Sequence, residues 1–308
     1  MDLYEPFLER DEPAIHAAIR EFRRTHSSEE LFQSVARFAV LAYAPSQHSK
    51  HAMICCLSAW ELREVLGDRW DDLLTECAIY AATSRQPWSE PPITDPPALE
   101  EDQRGDIEEL RECVATLDHL RAERWLAKRY RDPDFAHDYF MVATDDFEDL
   151  GHKLILAVTA WKLAKIFPPY PTLRTAIWEM TAYRGSAGSP VRSDVIERMI
   201  ANNGDIESAH AVFVYDAALQ AGDAEVMQRV GPPPPAAAAE GGAAAEGGER
   251  AAEGGGPTQD FQPYRLARDC GAYLKSFPVA GRLGDHRIIE AAKYNLDHAP
   301  SFEDFSFA

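Results

Sequence analysis

The sequence predicts an all-α fold, a multi-helix array of antiparallel helix pairs, on three observations. Apolar residues recur at spacings of three and four along most of the 308 residues. No run alternates Val, Ile or Thr with polar residues, and no Asn-Gly hairpin joins two apolar segments. A hydrophobic content of 45% suffices for a full core, which excludes a globally disordered chain. Roughly ten to twelve helices of ordinary length fit this chain. Antiparallel pairs are the economical way to bury their apolar faces.

Taken in order, each element has its own signal. Ser27-Ser28-Glu29-Glu30 is a helix cap, and Leu31, Phe32, Val35, Phe38 and Ala39 behind it share one face. Ser46 and Ser49 lead into a second helix that starts near His51 and carries the apolar run Ala52–Trp60. Prolines at 87, 91, 92, 96 and 97 make Gln86–Pro97 an extended surface loop. From Asp106 to Arg129, Leu110, Cys113, Val114, Leu117, Leu120 and Leu126 keep helical spacing. Leu173, Ile177, Met180 and Tyr183 do the same, as do Val195, Ile196, Met199 and Ile200.

Pro232–Pro257 holds only Pro, Ala, Gly, Glu and one Arg, so it has nothing to bury and reads as a disordered linker. The organisation is therefore a main helical domain over 1–231, a linker over 232–257 and a C-terminal helical segment over 258–308. That last segment has some 50 residues, too few for an independent core, so it is expected to dock back on the main domain.

The formal net charge is −20, which makes nucleic acid and anionic membrane poor partners. No apolar run approaches the roughly 18 residues of a membrane span, and Met1-Asp2-Leu3-Tyr4-Glu5 lacks a secretory start. The five cysteines form no C-x-x-C pair, and their odd count fits a reducing, cytoplasmic setting. Oligomeric state is not legible.

The one informative pattern is a recurring histidine-led helix. His51 opens H-A-M-I-C-C-L-S-A-W-E-L and His152 opens H-K-L-I-L-A-V-T-A-W-K-L. His210 opens H-A-V-F-V-Y-D-A-A-L and His286 opens H-R-I-I-E-A-A-K-Y-N-L, as looser copies. Each follows cap-type residues (Asp149 and Gly151, Asp205 and Ser208, Gly284 and Asp285 for the last three), which puts each ring in a first helical turn. Helix N-termini disfavour imidazolium, so these rings are expected to be neutral with a lone pair to offer. Converging neutral imidazoles suit iron, zinc, copper or nickel rather than magnesium or calcium. The candidate metal ligands are His51, His152, His210 and His286, with His48 as a further possibility. Catalytic groups beyond them are not legible.

Two blander readings compete. Histidines at helix starts can bond loop carbonyls, which would make the chain a helical-repeat binding or scaffold protein. His137-Asp138, with His119 and Asp145 or Asp146, resembles the ligand set of an HD-type metal phosphohydrolase. No G-x-G-x-x-G, P-loop or G-x-S-x-G occurs, so NADPH and nucleoside triphosphates have no motif. Arg184–Pro190 reads as a flexible loop able to act as a lid. Trp60, Trp161, Trp178, Tyr183 and Tyr215 would wall an aromatic pocket if the histidine-led helices converge.

The strings Lys50–Leu62, Gly151–Leu163, Ala209–Leu219 and Asp285–Ala292 resemble the His-led helices of the questin oxidase-like family. They cover under a fifth of the chain. The resemblance implies a helical fold and an oxygenase acting on polycyclic aromatic polyketides. The expected function is thus a metal-dependent oxygenase using non-haem iron on an apolar, aromatic or polyketide-like small molecule.

Overall fold

The computed structural model describes residues 3–41, 49–84, 95–99, 103–231 and 271–298. These form α-helices and two short 3-10 turns, with no strand among them. His48, the linker 232–257 and most of the proline-rich loop lie outside the described residues. The first three helices are α1 (Tyr4–Leu8), α2 (Glu12–Phe22) and α3 (Ser28–Leu41). The cap before α3 forms as a reciprocal box: Glu30 N–H donates to Ser27 Oγ at 3.2 Å, and Ser27 N–H to Glu30 Oε2 at 2.7 Å.

Four helices make the core. They are α4 (Ser49–Leu66), α9 (His152–Leu163), α12 (Ile206–Ala221) and α14 (Gly271–Leu283). Contacts run from α4 to α9, α9 to α12, α12 to α14 and α14 back to α4, which closes a ring. All four members run in the same direction. At one end His51 meets His152 and His152 meets His210. At the other end Lys162 reaches both Glu61 and Gln220, and Arg282 reaches Glu61 and Asp216. Glu61, Lys162 and Gln220 each lie ten residues after a histidine, about 15 Å along the axis at the ordinary helical rise.

Parallel neighbours need return elements, and these are the antiparallel partners. α5 (Trp70–Ser84) runs back along α4, with Trp70 Nε1 donating to Ala59 O at 2.9 Å near its start. α10 (Pro169–Ala182) runs back along α9, so that Lys153 Nζ, at the start of α9, donates to Tyr183 O just past the end of α10. α15 (Arg287–His298) folds back along α14, where Asn295 bonds Tyr273 Oη. The remaining helices, α6 (Ile107–Thr116), α7 (His119–Arg129), α8 (Phe135–Ala143), α11 (Val195–Ala201) and α13 (Ala224–Val230), pack around this core.

The continuous helix expected over Asp106–Arg129 is in fact two. Leu117 takes a left-handed conformation (φ 57°), and Asp118 caps α7 by accepting from Arg121 N–H. Helical spacing continues across the break, which is why periodicity alone does not reveal it. Its cost is visible: Leu117 and Leu120 are exposed.

Candidate metal centre

The ring brings three of the predicted histidines to one point. One nitrogen each from His51, His152 and His210 lies within 4.8 Å of the other two. Nε2 of His51 is 2.9 Å from Nε2 of His152. Two of the rings are oriented by their backbone. His152 Nδ1 lies 2.6 Å from Asp149 O, and His210 Nδ1 lies 2.7 Å from Ile206 O. A carbonyl oxygen only accepts, so both Nδ1 atoms carry the hydrogen and both Nε2 atoms present lone pairs. His51 Nδ1 faces the Tyr80 hydroxyl at 3.5 Å.

Burial decides the protonation. His152 and His210 are buried and His51 is half-buried. Loss of solvent, and after it the Lys50 ammonium and the neighbouring imidazoles, holds His152 well below the ordinary imidazole value. Burial lowers His210 to about 4, against a weaker opposing contribution from its bond to Ile206 O. Both rings are therefore neutral near pH 7, as metal ligation requires.

A metal cation would meet four helix N-termini at this end, which is unfavourable. Carboxylates offset it. Lys50, buried beside His51, pairs with Asp149 and, at 3.2 Å, with Glu179. Asp149 Oδ2 also stands 3.6 Å from His152 Nδ1. One turn below the triad, Ile54, Ile155 and Phe213 are buried and close the apolar floor. The site thus has three imidazoles, two of them held neutral by burial, with two acidic groups behind them and an apolar base. Such a set fits a transition metal with coordination positions left open.

The turn that delivers His152 is strained. Asp149, Leu150 and Gly151 have φ of 51°, 58° and 80°, three successive left-handed residues. Gly151 is required twice, by that φ and by contact with α12. A Cβ there would stand 2.4 Å from Val214 Cγ2, four residues beyond His210. The Arg184–Pro190 loop fastens the turn rather than standing free as a lid: Phe147 N–H donates to Ala187 O at 3.0 Å.

His286 is not part of the cluster. It is exposed and directly precedes α15, the return helix, whose start lies at the Arg282 end of the ring. The fourth ring helix is α14, which carries no histidine. His210 also departs from expectation in being the fifth residue of its helix, just past the first turn.

The three indoles do not join the expected aromatic wall. Trp60 and Trp161, nine residues after their histidines, sit at the far end of the ring. Both are only partly buried, Trp60 stacked on Phe32 and Trp161 packed against Phe135 and Phe140. The indole of Trp178 bonds Glu123 instead. A groove of about 670 Å³ runs along Trp60, Glu61, Lys162 and Arg282, and one of about 810 Å³ lies between Phe22, Arg37 and Phe167. Neither is lined by the triad.

The HD-type constellation is not brought together among the described residues. His137 pairs with Asp223 at 2.7 Å, His119 packs on Trp178, and Asp145 is held by Arg111 and Arg229. Asp146 takes the buried Lys153 ammonium at 2.7 Å.

No family model, no curated protein and no solved structure matches the chain. The functional reading therefore rests on the chemistry of the three imidazoles. No described helix is long and apolar enough to cross a membrane.

Proposed function

We propose that this chain is a metal-dependent oxygenase whose metal, non-haem iron, is held by His51, His152 and His210 and whose substrate is an apolar aromatic small molecule. One observation carries the reading: one ring nitrogen from each of three separate helices converges while the Nδ1 atoms of two of the rings are committed to backbone carbonyls. A packing role for histidine does not need that commitment repeated at one point. Iron bound there would supply the redox chemistry with dioxygen that oxygenation needs. The chain's own part is to hold three imidazole donors, leave positions open and keep bulk water from the floor formed by Ile54, Ile155 and Phe213. The resemblance to questin oxidase-like helices supports a polycyclic phenolic substrate.

A second reading is favoured by the donor set itself. Three imidazoles with an open position also suit zinc and water activation. Reconstitution of the purified chain with Fe(II), Zn(II) and Mn(II) under exclusion of air separates the two. The oxygenase reading expects one Fe(II) per chain and dioxygen uptake on adding hydroxylated anthraquinones. Tight zinc binding with no dioxygen uptake from the iron form supports the hydrolytic reading. No stoichiometric metal of any kind contradicts both, and leaves the scaffold reading.

A further inference from the structure

Three lysines on the ring helices are almost fully buried, and two of them are paired. Lys50 has Asp149 and Glu179, and Lys153 has Asp146 and the Tyr183 carbonyl. The third, Lys275 on α14, is only 4% exposed. Among the described residues its ammonium has no carboxylate in salt-bridge range and no hydrogen-bond acceptor. The nearest marked feature is the Phe213 ring, with the nitrogen 6.0 Å from its centroid. That ring is in turn 5.8 Å from the His210 ring.

Register places the backbone of this residue near the histidine end, while its ammonium feels His210 on one side and the clasp charges Asp216, Arg282, Glu61 and Lys162 on the other. Arg282 touches both Glu61 on α4 and Asp216 on α12, and Lys275 lies seven residues before it on a helix parallel to both. Seven residues back from Glu61 is Ile54, and seven back from Asp216 is Ala209, next to His210. Lys275 therefore stands level with the apolar layer under the triad, about 10 Å from the Arg282 level. Asp216 is held instead by Arg282, which donates to both carboxylate oxygens at 2.7 Å, and it makes no salt bridge to Lys275. Burial lowers the amine below its ordinary value, with Asp216 opposing from a distance.

An ammonium left without a partner on a residue this enclosed is costly, and proteins rarely keep one without use. Four parallel helix N-termini reinforce the positive potential at this end. Both facts favour an anion between Lys275 and the histidines. We infer that Lys275 receives the acidic oxygen, carboxylate or phenolate, of an aromatic substrate bound beside the triad. The inference deepens the metal-site reading, on which the placing of the substrate's reacting face rests. The anion contact itself stands on Lys275 alone.

The test uses the full chain with Co(II) as a visible-spectrum probe, titrated with benzoate and with its neutral analogue benzamide. Lys275→Met and Lys275→Gln are run beside the wild type. Met fills the space and removes the unpaired charge, so its melting temperature should equal or exceed the wild-type value. The expected result is that benzoate perturbs the Co(II) bands and binds at least tenfold more weakly to both variants. Benzamide binding and Co(II) affinity should stay within twofold. Equal benzoate affinity in wild type and variants overturns the inference, as does a wild type that binds no benzoate. Absence of Co(II) binding to wild type defeats the metal reading separately. The anion contact is then read from benzoate calorimetry on the metal-free chain, where loss of binding in the variants upholds it and equality overturns it.

Discussion

At the residue scale, the site depends on neutral imidazoles held in one tautomer, and two consequences can be measured. His210 titrates at about 4 in the fold because burial disfavours its charged form, whereas unfolded histidine titrates near 6.5. The unfolded chain therefore binds the extra proton first. Stability is full above pH 6.5 and is lost as pH falls towards 4. For the metal-free chain this one ring should cost about 2 kcal/mol between pH 7 and pH 5. Urea unfolding of wild type and His210→Gln at both pH values checks it, since the variant lacks this part of the acid loss. The second consequence concerns Gly151, where left-handed φ and the 2.4 Å approach to Val214 leave no room for a methyl. Gly151→Ala should weaken metal binding about 10- to 100-fold, as expected when a ligand's orienting groups shift. Adding Val214→Ala should restore part of the loss by freeing the space. Unchanged affinity in Gly151→Ala would show that the turn does not set the position of His152.

At the element scale, parallel packing puts the three histidines together at one end and a polar clasp at the other. Asp216 is 0% exposed, and Arg282 offers it two bonds. Arg282→Met leaves a buried carboxylate short of its cation, so thermal unfolding should show a loss of about 3–5 kcal/mol. Metal content should stay the same, because α14 supplies no ligand. Retention of full stability would mean that the clasp contributes nothing to docking. Much of this was legible in the sequence. The repeated His-led strings marked α4, α9 and α12, and the apolar spacing marked the all-α class. The fourth member is hidden from the pattern because it carries no histidine. H-R-I-I-E-A-A repeats the composition of a ring helix but heads a return helix, while the real fourth helix begins with Gly271 and carries no histidine. Lys275, in A-Y-L-K-S-F, lies on that same helix without a histidine to mark it. A lysine inside an apolar run was the available signal. The half-burial of Trp60 and Trp161 follows from their position at the open end, which no local pattern encodes.

At the scale of the whole molecule, the C-terminal segment is structural. Tyr273, Leu274, Val279 and Ala280 on α14 are buried, Tyr273 Oη donates to Gly204 O at 3.0 Å, and Arg282 bridges α4 and α12. Truncation after Gly231 removes the fourth side of the ring and exposes the apolar faces of α4 and α12. The shortened chain should lose cooperative thermal unfolding and aggregate. A truncated chain that melts sharply at the wild-type temperature would show that three ring helices suffice. The central claim, a metal held by three imidazoles from three parallel helices, is tested most directly by X-ray absorption on the chain loaded with one equivalent of Fe(II) or Zn(II). Outer-shell scattering counts imidazole rings. The account predicts three in wild type and in His286→Ala, and two or none in His51→Ala, His152→Ala and His210→Ala. A wild-type spectrum with one imidazole or none, or a ring lost in His286→Ala, would contradict it.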